Sequence, residues 1–151
     1  MDSDLKILCK KMNIFNDTYN KFEEANRIDE DIFKECICDI LSWMEICIKK
    51  INDFESEEMG IISAIRYVNN LKKHSLSIFK YTLESYCFYP CEDLYPGPDL
   101  YPLSFNVWWN ELPLDQEKFI KQYENFNKYL KNKELYKSLN NIFEIINKHY
   151  N

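Results

Sequence analysis

Glycine is scarce in this sequence, with two residues in 151, and proline is limited to five. So few glycines exclude a Gly-rich phosphate-binding loop and the nucleotide hydrolysis that such a loop supports. Four of the five prolines fall within residues 90–102, so the rest of the chain has few residues that interrupt helices. The sequence also lacks an apolar run of about 18 residues, and it therefore predicts no contact with a membrane through a spanning helix.

We also expect no secretory signal, because the charged stretch MDSDLKILCKKMN has no apolar core. Six cysteines without such a signal are typical of a reducing compartment, so we expect free thiols and a cytoplasmic location. The spacing of Cys87 and Cys91 fits one pair of metal ligands. Structural zinc sites usually have two such pairs, and no second pair or neighbouring His is present in the sequence. We therefore expect no metal and no other cofactor.

Charge is distributed unevenly along this chain, whose net charge is −6. Residues 59–83 carry four basic side chains and no acidic one, whereas residues 1–58 carry eight basic and fifteen acidic ones. An acidic protein is a poor general binder of nucleic acid, but a local basic window can still hold a phosphate. Arg66, Lys72 and Lys73 lie in this window and are therefore candidates for contact with RNA.

Apolar residues recur at helical spacing over most of the chain and predict a mainly α-helical bundle of about five helices in a single domain. The predicted helices cover residues 3–26, 30–53, 57–73, 116–131 and 133–149. Asp29, Ser56 and Asp115 each precede one of these segments and are predicted to cap it. The expected core residues of the third helix are Ile61, Ala64, Ile65, Val68 and Leu71.

Residues 76–112 interrupt the helical pattern and are predicted to form a small extended or β-hairpin insertion. Its first part, LSIFKYTLESYCF, fits a strand or a short helix, and its last part, PLSFNVWWNEL, is rich in residues that favour strands. A loop rich in proline and tyrosine joins the two parts. If the last part is a strand, adjacent Trp108 and Trp109 cannot both point inward.

Polar residues of the third predicted helix share the face opposite its expected core, at 100° per residue. They are Arg66, Asn69, Asn70, Lys73 and His74. A His with a pKa near neutrality serves as a general acid or base, and an Arg holds a phosphate through two hydrogen bonds. This set suits metal-independent RNA cleavage, in which the 2′-oxygen attacks the neighbouring phosphate. The alternative is an ordinary solvated helix face.

The sequence NNLKKH at residues 69–74 resembles the signature of the HEPN superfamily of α-helical domains. His74, Lys73 and Asn70 match that signature, but Asn69 stands where the family has an Arg, and Arg66 lies one turn earlier. The resemblance implies a dimer whose motifs face each other across a cleft, and ribonuclease activity in toxin–antitoxin or antiphage systems. Relatives that have lost motif residues act as binding or scaffold modules. The surrounding sequence also resembles small phage and prophage proteins of low-GC Gram-positive bacteria.

The first functional hypothesis is therefore a HEPN-like protein of a mobile element or phage-defence system. In its catalytic version His74 is the general acid and base, Arg66 and Lys73 hold the scissile phosphate, and Asn69 and Asn70 orient the substrate. In its degenerate version the same residues bind RNA or a protein partner without cleaving. A homodimer is compatible with either version.

The second hypothesis is a non-enzymatic acidic protein that inhibits a host defence nuclease or another nucleic-acid-handling enzyme by binding to it. Acidic side chains suit a basic partner surface, and Tyr and Trp are favoured in interfaces. The predicted partner-binding residues are Glu55, Glu57, Glu58, Tyr95, Tyr101, Trp108 and Trp109. The alternatives are helix capping for the carboxylates and packing on the bundle for the rings.

Overall fold

Five α-helices and one β-hairpin make up the part of the chain that the structure describes, as the sequence predicts. The structure is a computed structural model that describes residues 2–74, 77–85 and 103–150, with the backbone alone for 83–85 and 103–104. Its elements in chain order are α1 (Ser3–Ala25), α2 (Glu30–Lys49), α3 (Ser56–Leu71), β1 (Phe79–Ser85), β2 (Leu103–Trp109), α4 (Ile120–Tyr129) and α5 (Leu135–Tyr150). Within these residues, no helix is both long and apolar enough to cross a membrane.

Helices α1 and α2 form an antiparallel pair joined by a short connection. The C-cap of α1 is Asn26, which adopts the left-handed conformation with a φ of 52°. The predicted cap at Asp29 is confirmed, because its carboxylate accepts the backbone N–H of Ile32 at 3.1 Å. Helix α2 ends at Lys49, four residues before the predicted end at Asp53. Asn and Asp residues near this end favour local hydrogen bonds over a continued helix.

Helix α3 begins with a capping box, and its N-cap is Glu55 rather than the predicted Ser56. The backbone N–H of Glu55 donates to the carboxylate of Glu58 at 3.0 Å. Helix α5 supplies two more partners to Glu58, Lys148 Nζ at 2.7 Å and His149 Nε2 at 2.8 Å. The buried Glu58 carboxylate therefore fixes the start of α3 to the end of α5.

The ammonium of Lys148, the imidazole of His149 and the backbone N–H of Glu55 lower the pKa of Glu58 to about 2. A carboxyl with a lowered folded-state pKa stabilises the fold above its unfolded pKa, near 4.5. That stabilisation is lost as the pH falls from 4.5 towards 2.

We expect Glu58→Gln to lower the free energy of unfolding at pH 7 by about 1–3 kcal/mol, because it replaces a buried carboxylate that is paired with Lys148 and His149 by a neutral amide. The wild type should lose stability more steeply than the variant between pH 4.5 and 2. Urea unfolding across this pH range measures both effects. Glu57→Gln, a change of the adjacent exposed carboxylate, is the matched control. Equal pH slopes for the wild type and Glu58→Gln would contradict this account.

The predicted hairpin is confirmed as an antiparallel pair, with its register running from Phe79 opposite Trp109 to Ser85 opposite Leu103. Alternation turns the side chain of Trp109 fully inward and leaves Trp108 half-buried, as expected for adjacent residues of a strand. The hairpin packs on the first two helices through aromatic pairs. These are Phe33 with Phe79 at 5.0 Å and Tyr19 with Phe105 at 5.1 Å.

Helix α4 is preceded by a short 3-10 turn, Glu117–Phe119, whose N-cap is Gln116. The predicted cap at Asp115 is therefore wrong. The backbone N–H of Asp115 instead donates to the hydroxyl of Tyr67 at 3.0 Å, which holds Asp115 outside the helical turn. Helix α5 lies in the region predicted for the fifth helix, residues 133–149.

Helix α3 lies between α2 and α4, so it buries more than the predicted core stripe. The expected residues Ala64, Ile65, Val68 and Leu71 are buried, and Ile62 and Tyr67 are buried beside them. Gly60 permits the close approach of α4, since a Cβ atom at this position would lie 2.6 Å from Cζ of Tyr129. The face left for solvent is correspondingly narrow.

Candidate functional site

The polar side chains predicted to act together on α3 divide between its two neighbouring helices. Arg66 and Lys72 contact α2, whereas Asn70 contacts α4. His74 follows α3, where its backbone N–H donates to the carbonyl of Leu71 at 3.0 Å. Residues that the sequence places on one face of α3 therefore contribute to two separate surfaces, one towards α2 and one towards α4.

Arg66 forms a bidentate ion pair with Glu45 of α2. Its Nε lies 3.1 Å and 3.2 Å from the two carboxylate oxygens, and its Nη2 lies 2.9 Å from Oε1. The Glu45 side chain is only 16% exposed, so this pair is partly desolvated and well oriented. The guanidinium is therefore held away from His74 by a carboxylate that the sequence analysis did not connect with it.

Lys72 also turns towards α2, where its ammonium donates to the hydroxyl of Ser42 and, at 3.1 Å, to the carbonyl of Cys38. Burial lowers the pKa of Lys72. Asn69 is half-buried, and among the described residues its Oδ1 is a buried acceptor without a hydrogen-bond donor. Lys72 and Asn69 therefore do not lie on the same surface as the exposed ammonium of Lys73.

A surface pocket of about 240 Å³ collects the remaining predicted residues and is called here the α3–α4 pocket. It is lined by Asn70, Lys73, His74, Asp115, Gln116, Lys118 and Phe119. Lys73 and His74 are exposed, and the ammonium of Lys118 lies 5.0 Å from the ring centroid of Phe119. The amide of Asn70 donates to Oε1 of Gln122 at 3.4 Å. Two ammonium groups, an imidazole, two amides and one carboxylate thus surround one concavity.

This arrangement can bind an anion through charge and hydrogen bonds, and it presents an imidazole for proton transfer. Lys118 and Gln116 were missed by sequence reasoning. More than forty residues separate them from His74, and no spacing rule connects a helix end with the start of a distant helix. Only the packing of α3 on α4 brings them together.

Tyr67 supports one wall of the α3–α4 pocket from inside the protein. Its side chain is fully buried, its hydroxyl donates to the carbonyl of Pro113, and the same oxygen accepts the backbone N–H of Asp115. Burial raises the pKa of Tyr67. A single phenol therefore satisfies two backbone groups of the segment that leads into Gln116 and Lys118.

We expect Tyr67→Phe to lower the free energy of unfolding by about 0.5–1.5 kcal/mol, because it removes the hydrogen-bond partner of the Asp115 N–H and of the Pro113 carbonyl in a partly buried contact. Amide hydrogen exchange at Asp115 should accelerate in the variant. Tyr123→Phe, on a half-buried ring that packs against Tyr67 at 5.9 Å, provides the matched control. Unchanged exchange at Asp115 would show that the phenol does not hold this segment.

The residues predicted to bind a protein partner do not form one surface in the described part of the chain. Glu55 and Glu57 are exposed, with Glu55 3.7 Å from Lys148. Glu58 and Trp109 are buried, which corrects their assignment to a contact surface. Trp108 is half-buried, and Tyr95 and Tyr101 lie outside the described residues.

Glu58 belongs to a cluster of titratable groups that sequence reasoning did not find. His149, near the end of α5, contacts Glu58 across a separation of 91 residues. Its ring also meets Phe54 edge-on at 5.0 Å. The four described cysteines are free thiols, and within the described ranges no three His, Cys, Asp or Glu side chains come together as a metal site would require. Cys87 and Cys91 lie outside these ranges.

Comparison with family models, with curated proteins and with solved structures finds no match to this chain. The likeness to the HEPN signature therefore stays a prediction that depends on residues 69–74.

Proposed function

We propose that this protein is a HEPN-like RNA-binding protein of a mobile element or phage-defence system, which holds an RNA phosphate in the α3–α4 pocket. One observation carries the proposal: Lys73, His74 and Asn70 share this pocket with Lys118. Two of the predicted residues, Lys73 and His74, are exposed there. Asn70, Lys73 and His74 belong to the acid-free basic window of the sequence, residues 59–83.

Charge supports a local rather than an extended contact with RNA. The protein carries a net charge of −6, so a phosphate is attracted only where cations are concentrated. Lys73 and Lys118 supply two point charges, and the amide of Asn70 supplies a hydrogen-bond donor. Asp115 in the lining disfavours anions on its own side and so orients the phosphate towards the lysines.

Binding is favoured over cleavage because the guanidinium of Arg66 is engaged by Glu45. The catalytic version assigns this guanidinium to the scissile phosphate, where it would stabilise developing charge beside the residue that transfers the proton. In the described pocket Lys73 and Lys118 supply positive charge beside His74, but Arg66 is not among the lining residues. The degenerate version of the first hypothesis therefore fits the geometry better than the catalytic one.

We expect the double variant Lys73→Gln/Lys118→Gln to weaken RNA binding about tenfold or more at low salt, because two phosphate contacts are lost. The salt dependence of log Kd should fall by about one unit of slope for each lysine removed. Fluorescence anisotropy with single-stranded and hairpin RNA measures both quantities. Lys10→Gln, which removes an exposed charge on α1, is the control. Equal affinity of the double variant and this control would refute the assignment.

A separate assay decides whether binding is accompanied by cleavage. RNA incubated with the protein in a buffer containing a chelator should remain intact if the site only binds. If cleavage occurs, His74→Ala should reduce its rate about 10²–10⁴-fold, since that is the usual contribution of a general acid or base. Cleavage that persists at full rate in His74→Ala would exclude this imidazole as its source.

A further inference from the structure

A second concave surface lies on the other side of Gln122 and has a different chemical character. This cleft of about 380 Å³ is bounded by the end of α2, the following segment, α3 and α4. We call it the apolar cleft, and its apolar lining consists of Ile48, Ile51, Phe54, Met59 and Ile62. Its volume lies within the range of about 300–1,000 Å³ that is typical of small-molecule sites.

The apolar lining has a buried floor and an open mouth. Ile48 and Ile62 are 3% and 4% exposed and form the floor, whereas Met59 is 59% exposed and borders solvent. A methionine that is more than half exposed next to buried isoleucines leaves apolar surface in contact with water, and an adaptable thioether suits a site that changes shape around a ligand. Covering this surface with an apolar group is therefore favourable.

Positive charge distinguishes the rim of the apolar cleft. The two charged residues that line it are Lys49, which is exposed on the last turn of α2, and Arg66. Glu45 holds Nε and Nη2 of Arg66, which fixes the guanidinium in one orientation and leaves Nη1 outside the pair. Ser63 and the amide of Gln122 add neutral hydrogen-bonding groups.

We propose that the apolar cleft binds a small carboxylate with an apolar body, such as an aryl or alkyl acid. The body would cover Ile48, Ile62 and Met59, and the carboxylate would lie between Lys49 and Arg66. Charge decides the class of ligand: two cationic side chains and no anionic one line the described cleft, so a cationic ligand is disfavoured and a neutral one gains no ion pair. In this role Glu45 is a positioning residue for the guanidinium of Arg66.

The proposal does not depend on RNA binding, because the α3–α4 pocket shares none of these lining residues. The probe is 4-phenylbutyrate, and 4-phenylbutyramide is its uncharged equivalent with the same body. Titration of isotopically labelled protein, followed through the Met59 methyl and Arg66 Nε–H signals, reports on both ends of the cleft. We expect 4-phenylbutyrate to shift both signals and the amide to bind about tenfold more weakly, because it loses a charge-assisted hydrogen bond.

Two variants test the charged rim. Lys49→Gln and Arg66→Gln should each reduce the preference for the acid over the amide by about threefold or more, while Lys10→Gln on α1 should leave it unchanged. A third variant, Met59→Glu, should abolish binding of the acid and weaken that of the amide, because it places a carboxylate over the apolar floor. Absence of shifts with 4-phenylbutyrate at millimolar concentration would overturn the proposal. Equal binding of the acid and the amide would also overturn it, since the cleft would then not select a carboxylate.

Discussion

The buried carboxylate of Glu58 is the constraint on which the arrangement of α3 depends. A buried charge is tolerated only when it is paired and hydrogen-bonded, and Glu58 meets this requirement with partners from two separate helices. Because these partners belong to the capping box and to the end of α5, the first turn of α3 has one position relative to α5. The direction of α3 then determines which of its side chains reach α2 and which reach α4.

Two surface sites follow from this placement of α3. Towards α2, Arg66 forms an ion pair with Glu45, and the partly buried ammonium of Lys72 donates hydrogen bonds to Cys38 and Ser42. Both contacts join α3 to α2. Towards α4, Lys73 and His74 remain exposed and meet residues that precede that helix. Cations of the same short segment therefore serve different purposes. Those facing α2 make contacts between helices, and those facing the segment before α4 are exposed to solvent.

The helices and the hairpin were predictable because their signals are local. Helix α5 repeats apolar residues at helical spacing, and these residues are buried in the structure: Leu135, Leu139, Ile142 and Ile146. Strand alternation correctly separated Trp108 from Trp109. Such patterns need no knowledge of distant residues, since backbone geometry alone converts them into faces.

The partners of individual side chains were not predictable in the same way. A helical projection gives the direction of Arg66 but not the carboxylate of Glu45 that lies within reach of its long side chain. The pairing of Glu58 with His149 crosses 91 residues, so a first-turn acid that the sequence places at the surface is in fact buried. The structure thus brings the local members Asn70, Lys73 and His74 together and separates Arg66 and Lys72 from them. The reason is that these long side chains bind tertiary neighbours that the sequence does not identify.

The hydrogen bond between Asn70 and Gln122 forms a common wall between the two concave surfaces. Asn70 lines the α3–α4 pocket, Gln122 lines the apolar cleft, and their amides meet at 3.4 Å. A bond of this length is weak, so the contact between the two amides adds little to the stability of the wall. The wall is held instead by the packing of α3 on α4, and either amide can rotate away from the other at small cost.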